Sequence, residues 1–131
     1  MIVLDTHVLV WWVSGSRRLS VRARRELRSA TPRNPAAASS ISVFEIATAV
    51  RRGRLEIALP LQQWLADLGD LPELRILPIT AEIAALAGGF DDATPGDPAD
   101  RIIAATAMVH GARLLTADAR LRATPRLQSV W

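Results

Sequence analysis

The chain of 131 residues contains no cysteine, no lysine and no tyrosine. Without cysteine it can form no disulfide and perform no thiolate chemistry, which fits a cytoplasmic protein better than a secreted one. Without lysine, all 16 of its basic side chains are arginines. The formal net charge is only +3, a value that permits nucleic-acid binding but does not establish it.

Long apolar runs are also missing. No segment approaches the roughly 18 apolar residues of a membrane-spanning helix, so we expect no membrane association. The apolar N-terminus has no basic leader and is interrupted by Asp5, which argues against a signal peptide. The composition is 50% hydrophobic and 22% charged, and no linker or repeat divides the chain. These features predict a single globular domain over residues 1–131.

Short apolar segments alternate with amphipathic ones along the whole chain. Their order predicts β-α-α-β-α-α-β-α-α-β-α-β, an α/β fold whose mostly parallel sheet is covered by helices on both faces. The predicted strands are residues 2–5, 36–41, 74–79, 112–115 and 126–130. The predicted helices are residues 7–13, 20–30, 42–52, 60–68, 80–88 and 97–110, with a short turn or helix at 116–122.

Five acidic residues occupy the same kind of position in this pattern. Each follows a predicted strand or opens a predicted helix, and these places meet at the carboxyl edge of a parallel sheet, where ligands bind. We therefore expect their carboxylates to lie close together. The five are Asp5, Glu45, Asp97, Asp100 and Asp118.

Helix capping is the alternative explanation for each acid taken alone. Asp5 or Thr6 can cap the helix that follows. Ser42 and Glu45 have the spacing of a capping box. The segment 97–100 combines an N-cap, a proline and a first-turn acid, and Thr116 can cap the last turn.

Taken together, the five carboxylates would repel one another, and a bound divalent cation removes that cost. Oxygen ligands without cysteine or paired histidines suit Mg²⁺ or Mn²⁺ rather than Zn²⁺. Such a site can activate water and stabilise displacement at a phosphate.

Four segments of the chain resemble the PIN-domain nucleases, and specifically the VapC toxins of bacterial toxin–antitoxin pairs. The resemblance covers nearly the whole chain, in order and at family-like spacing. The segments are IVLDTHVLVWW (2–12), SISVFEIATAVRRGRL (40–55), GDPADRIIAATAMVHGARLLTAD (96–118) and the closing strand.

This resemblance implies a three-layer α/β/α PIN-like domain and a metal-dependent endoribonuclease that hydrolyses RNA phosphodiester bonds. It also implies inhibition by a small VapB-like antitoxin and assembly as a homodimer. The implied catalytic and metal-binding residues are Asp5, Glu45, Asp100 and Asp118, with Thr116 and Asp97 in support.

Three other functions remain open from the sequence. One is a PIN-type nuclease of RNA processing that has no antitoxin, and another is a catalytically inactive binding module. The third is a receiver-type Mg²⁺-binding domain, although its expected late-strand lysine is missing here. Roles for several arginines are open as well: Arg101 could contact phosphate or pair with an acid, and the arginines of residues 17–28 could bind RNA or face solvent.

Overall fold

The computed structural model describes all of residues 1–131 and has the element order predicted from the sequence. Every strand is shorter than predicted. The strands are β1 (Ile2–Leu4), β2 (Ala36–Ser39), β3 (Leu74–Leu77), β4 (Arg113–Leu115) and β5 (Ser129–Val130). The helices are α1 (Thr6–Ser14), α2 (Val21–Arg28), α3 (Ser40–Arg51), α4 (Leu61–Gly69), α5 (Ala81–Gly89), α6 (Pro98–Val109) and α7 (Ala119–Arg122).

The five strands form one parallel sheet in the order β3-β2-β1-β4-β5. β1 is central, and it pairs Val3 with Ala37 of β2 and with Leu114 of β4. Because all strands run in the same direction, the residues that follow β1 and β4 emerge side by side at the carboxyl edge.

Helices cover both faces of this sheet, which confirms the three-layer prediction. Alternate residues of β1 point to opposite faces: Ile2 and Leu4 join a core with residues of α1 to α4, whereas Val3 joins a second core with residues of α6 and α7. α5 packs outside α6, where Ile83 and Ala87 contact Ala105. None of the helices has the length and apolar character needed to cross a membrane.

The predicted start of α3 is wrong by two residues. β2 ends at Ser39, whose hydroxyl accepts a hydrogen bond from the backbone N–H of Ile41 at 3.1 Å and caps the helix. Ser42 consequently lies inside α3, one turn past the cap, and its predicted capping box with Glu45 does not form. A segment with three serines offers three possible caps, and the end of β2 selects the first of them.

Candidate active site

The two acids that follow neighbouring strands lie at the centre of the carboxyl edge. Asp5 directly follows β1, and Asp118 comes three residues after the end of β4. Between them is Thr116, which is fully buried. Its hydroxyl donates to Asp5 Oδ2 at 2.6 Å and accepts from the backbone N–H of Asp118 at 3.0 Å. Thr116 thus links the two acids, and its bond to Asp5 joins residues 111 positions apart in the chain.

Asp5 is almost completely buried, with 4% of its surface exposed. A buried carboxylate is costly unless it is hydrogen-bonded, and both oxygens of Asp5 have partners. Oδ1 accepts from the backbone N–H of Thr6 at 2.8 Å, and Oδ2 accepts from Thr116. Of the two possible caps of α1, Asp5 and Thr6, the structure has Asp5, and these bonds also fix its orientation at the sheet edge.

Asp118, rather than Thr116, caps the last short helix. Its Oδ1 accepts from the backbone N–H groups of Arg120 at 2.8 Å and Leu121 at 3.4 Å. The prediction that Thr116 caps this turn is therefore wrong, because the Thr116 hydroxyl is occupied by Asp5 and the Asp118 amide.

Glu45 reaches the same edge from the second turn of α3. Burial raises the pKa of its carboxyl group, and the negative charges of Asp5 and Asp97 add to that effect. A hydrogen bond donated by the Thr6 hydroxyl to Glu45 Oε1 opposes the rise. Thr6 has only one hydroxyl hydrogen, so in its 2.8 Å contact with Ser42 it must be the acceptor. Ser42, Thr6 and Glu45 thus form a hydrogen-bonded chain between α1 and α3.

Asp97 and Asp100 lie at the N-terminus of α6, the helix that packs against one face of the sheet with Val3 of β1 and Leu114 of β4. Asp97 is the N-cap, and its Oδ1 accepts from the backbone N–H of Ala99 at 2.8 Å and of Asp100 at 3.3 Å, as the sequence predicted. Asp100 shares the electrostatic field of the other acids. Burial raises the pKa of its carboxyl group to about 7, and the charges of Asp5, Asp97, Asp118 and Glu45 all contribute.

The charges of the other four predicted acids all act on Asp100, so the five lie within electrostatic reach of this one group. No three of them are close enough together to hold a metal ion between them. No hydrogen bond to the Asp100 carboxylate offsets the repulsion. Hydrogen-bonded caps account for Asp5, Asp97 and Asp118. Asp100 has only the favourable dipole of the first turn of α6, and Glu45 has neither a cap nor a first-turn position. A strongly perturbed carboxyl group among other acids at the carboxyl edge of a parallel sheet marks a candidate functional site.

A family model for the PIN domain matches residues 2–127 of the chain. The chain belongs to the PIN domain family. It is 40% identical over 132 residues to ribonuclease VapC22 of Mycobacterium tuberculosis, an alignment that covers 99% of this chain and 98% of the relative. The resemblance seen in the sequence is therefore confirmed.

Solved structures confirm the PIN fold. FitAcB from Neisseria gonorrhoeae superposes with a TM-score of 0.72 at 24% identity, covering all of this chain and 97% of the other. A toxin–antitoxin complex from Klebsiella pneumoniae gives 0.70 at 23% identity, with the same coverage. VapBC2 from Rickettsia felis, bound to a promoter DNA fragment, gives 0.69 at 21%, covering 99% of this chain and 98% of the other.

Three residues of this PIN domain whose contacts could not be predicted from the sequence hold the acids in place. Thr6 and Ser42 orient Glu45, as described above. His7 Nε2 accepts from the backbone N–H of Ala117 at 3.1 Å, and its Nδ1 lies 3.4 Å from Asp5 Oδ2. The His7 ring packs against Trp11 and Trp131, with centroids 4.9 and 6.4 Å apart. The sequence hints at two of these residues by their position, because Thr6 and His7 are the two residues that come after Asp5.

Arg101 does not pair with an acid, and its guanidinium is bound to backbone carbonyl groups instead. Its guanidinium donates to the backbone carbonyls of Ala87, at 2.9 Å, and Phe90, and it lies over the Phe90 ring. The side chain therefore fastens the end of α5 to α6, and it forms no ion pair with the adjacent Asp100.

Proposed function

We propose that this PIN domain is a metal-dependent endoribonuclease and the toxin of a toxin–antitoxin pair. The observation that carries the proposal is the position of the five acids at the carboxyl edge of the parallel sheet. Burial and the charges of the other four acids raise the pKa of the Asp100 carboxyl group there to about 7. A site with this much unbalanced negative charge is suited to a cation, and a nuclease of this type uses one. The extensive identity to a relative named a ribonuclease supports the same activity.

Asp5, Glu45, Asp100 and Asp118 are the residues that would hold Mg²⁺ or Mn²⁺. They offer only carboxylate oxygens, the ligands that these ions prefer. No three acidic or histidine side chains stand close enough together to form a complete metal-binding group, so binding must draw the repelling carboxylates together. When bound, the cation supplies Lewis-acid activation of water and charge stabilisation at the phosphate.

The protein's own contribution is to position these oxygens and to bind RNA. Both oxygens of Asp5 and one oxygen of Glu45 accept hydrogen bonds, and each carboxylate keeps further lone pairs that a cation could use. Asp97 supports the site by capping α6 and by adding negative charge near Asp100. Near neutral pH the Asp100 carboxyl group, with its pKa of about 7, holds a proton in part of the molecules, and a cation must displace that proton.

We also propose a VapB-like antitoxin as partner, a homodimer as the assembly and the cytoplasm as the place of action. The likeness to the Klebsiella toxin–antitoxin complex and to VapBC2 supports the partner. A short reading frame immediately beside the gene is expected. Its absence would favour the alternative, a PIN nuclease of RNA processing that acts without an antitoxin.

The topology of the sheet excludes a receiver-type domain. Receiver domains have the sheet order 2-1-3-4-5, whereas this sheet has β1 in the centre between β2 and β4. The family match to the PIN domain leads to the same conclusion.

Replacing Asp100 with asparagine tests the proposed activity. We expect Asp100→Asn to abolish Mg²⁺-dependent cleavage of single-stranded RNA, a loss of at least about a hundredfold, because it removes an anionic ligand without changing the side-chain shape. Circular dichroism should show an unchanged fold. The matched control is Asp92→Asn, an exposed loop acid, which should retain full activity. Cleavage at the wild-type rate by purified Asp100→Asn protein would refute the role of Asp100 in the proposed activity.

A further inference from the structure

A cleft of about 430 Å³ begins at the candidate active site and runs along α3. Glu45 and Asp97 line its near end, and Arg52 and Arg54 line its far end. Phe44 forms part of the wall. We call it the α3 cleft. Arg52, Arg54 and Phe44 make none of the contacts that hold the acids in place, so the site described above assigns them no role.

The residues along α3 that line the cleft follow the helical repeat. Glu45, Thr48, Ala49 and Arg52 are spaced i, i+3, i+4 and i+7, which places them on one face of the helix. Seven residues of helix correspond to roughly 10 Å. The acidic and basic ends of the cleft are therefore as far apart as about three nucleotides of a stacked strand, which rises roughly 3.4 Å per nucleotide.

A Schellman turn at the end of α3 brings Arg54 back beside Arg52. Gly53 adopts a left-handed conformation with φ at 70°, where an L side chain is strained. The backbone N–H of Gly53 donates to the Val50 carbonyl at 3.1 Å, and that of Arg54 donates to the Ala49 carbonyl at 2.9 Å. This reversal places two arginines, two residues apart, at one end of the cleft.

Both arginines are exposed and neither is in an ion pair. The three ion pairs of the structure involve His7, Arg113 and Arg120. Guanidinium groups bind phosphate oxygens in a bidentate manner. Phe44 is 65% exposed, and an exposed aromatic ring can stack on a base with little regard to sequence.

Building on the proposed nuclease function, we propose that the α3 cleft binds the single-stranded RNA next to the scissile phosphate. Arg52 and Arg54 hold backbone phosphates, and Phe44 stacks on an unpaired base. The charge distribution favours RNA over an acidic or apolar protein segment. A strand can place one phosphate at the cation that the carboxylates would hold and another at the arginines. Stacking on Phe44 requires a base free of a duplex, so the preferred substrate is single-stranded.

The salt dependence of RNA binding tests the arginines. A fluorescent single-stranded RNA 12-mer is titrated by anisotropy against Asp100→Asn protein, which should not cleave it, from 50 to 300 mM salt. Adding Arg52→Gln/Arg54→Gln should weaken binding about tenfold or more at the lowest salt. It should also reduce the slope of log K against log salt by about 1.4, or about 0.7 for each phosphate that is no longer neutralised.

The matched control removes the same charge elsewhere. Arg33→Gln/Arg51→Gln alters two exposed arginines that do not line the cleft, and it should leave the slope nearly unchanged.

In otherwise wild-type protein, Arg52→Gln/Arg54→Gln should raise KM while kcat falls little, because the acids are intact. Equal effects of the two double variants would overturn the proposal.

Variants of Phe44 distinguish an RNA-binding cleft from an interface between two copies of the chain. Phe44→Ala should weaken RNA binding roughly five- to a hundredfold because the stacking surface is removed, and Phe44→Trp should restore it. If Phe44→Ala instead dissociates a dimer by light scattering and leaves RNA affinity unchanged, the cleft is a protein interface and the proposal is wrong. Failure of wild-type protein to cleave RNA, with these binding effects intact, would refute the nuclease function alone.

Discussion

At the scale of single residues, Asp100 should make the protein less stable as the pH rises. Its pKa is about 7 in the folded protein and near 3.8 in an unfolded chain. Between these values the folded state binds more protons than the unfolded state, so the free energy of unfolding falls with rising pH. Asp100→Asn lacks this group and should be more stable than wild type above pH 7, by at most about 4 kcal/mol and by less after solvent screening.

Urea unfolding in the presence of a chelator, at pH 5 and pH 8, measures this difference. The advantage of Asp100→Asn over wild type should be larger at pH 8 than at pH 5. Asp92→Asn, in an exposed loop, should track wild type at both values. A variant that is destabilised equally at both pH values would show that Asp100 has a structural role instead.

The sequence predicted where the acids lie but not what holds them. Their convergence follows from strand ends in a parallel sheet, which is a property of topology. The bond from Thr6 to Glu45 joins residues 39 positions apart. It depends on how α1 and α3 are rotated against each other, and no local pattern encodes that rotation. For the same reason the Ser42–Glu45 spacing suggested a capping box that does not form.

At the scale of elements, the contact between α1 and α3 should tune the acidity of Glu45. The Thr6 hydroxyl bonds to the carboxylate and lowers its pKa against the effect of burial. Thr6→Val keeps the side-chain shape but removes the hydroxyl. The pKa of Glu45 should then rise further, and cleavage relative to wild type should fall most at acidic pH and recover as the pH rises.

The pH profile of RNA cleavage distinguishes this positioning role from a loss of packing. Thr6→Ser keeps the hydroxyl and should follow the wild-type profile. Thr6→Val should shift the acidic limb of the profile to higher pH, because it removes a hydrogen bond that favours the charged form of Glu45. Parallel profiles for Thr6→Val and wild type, differing only in height, would rule out the tuning.

Helix starts were more predictable than strand lengths. Ser20, Thr80 and Asp97 each precede an apolar-periodic segment and cap α2, α5 and α6 as expected. The predicted strands extend beyond the residues that pair, because an apolar residue outside a strand can still pack into the core. Leu127, for example, is buried and belongs to the predicted last strand, although β5 begins only at Ser129.

At the scale of the whole molecule, the alternation of strands and helices led to the correct fold class and layers. The order of the strands in the sheet could not be predicted from the sequence and is known from the structure. Periodicity shows that β1 is buried on both faces, and its neighbours are β2 and β4 only because the chain returns across the sheet between β3 and β4, through α5 and α6. That return brings Asp100 and Asp118, from the second half of the chain, to Glu45 from the first half.

Because the site draws on both halves of the chain, a bound cation should stabilise the entire fold. Ten millimolar Mg²⁺ should raise the melting temperature at pH 8 by roughly 5–10 °C, as expected if that concentration is far above the dissociation constant. The shift should be smaller at pH 6, where the cation must displace the proton held by Asp100, whose pKa is about 7. Thermal melts in Mg²⁺ and in chelator measure it. Asp100→Asn should lose most of the shift while Asp92→Asn keeps it, and an equal shift in both variants would place the metal elsewhere.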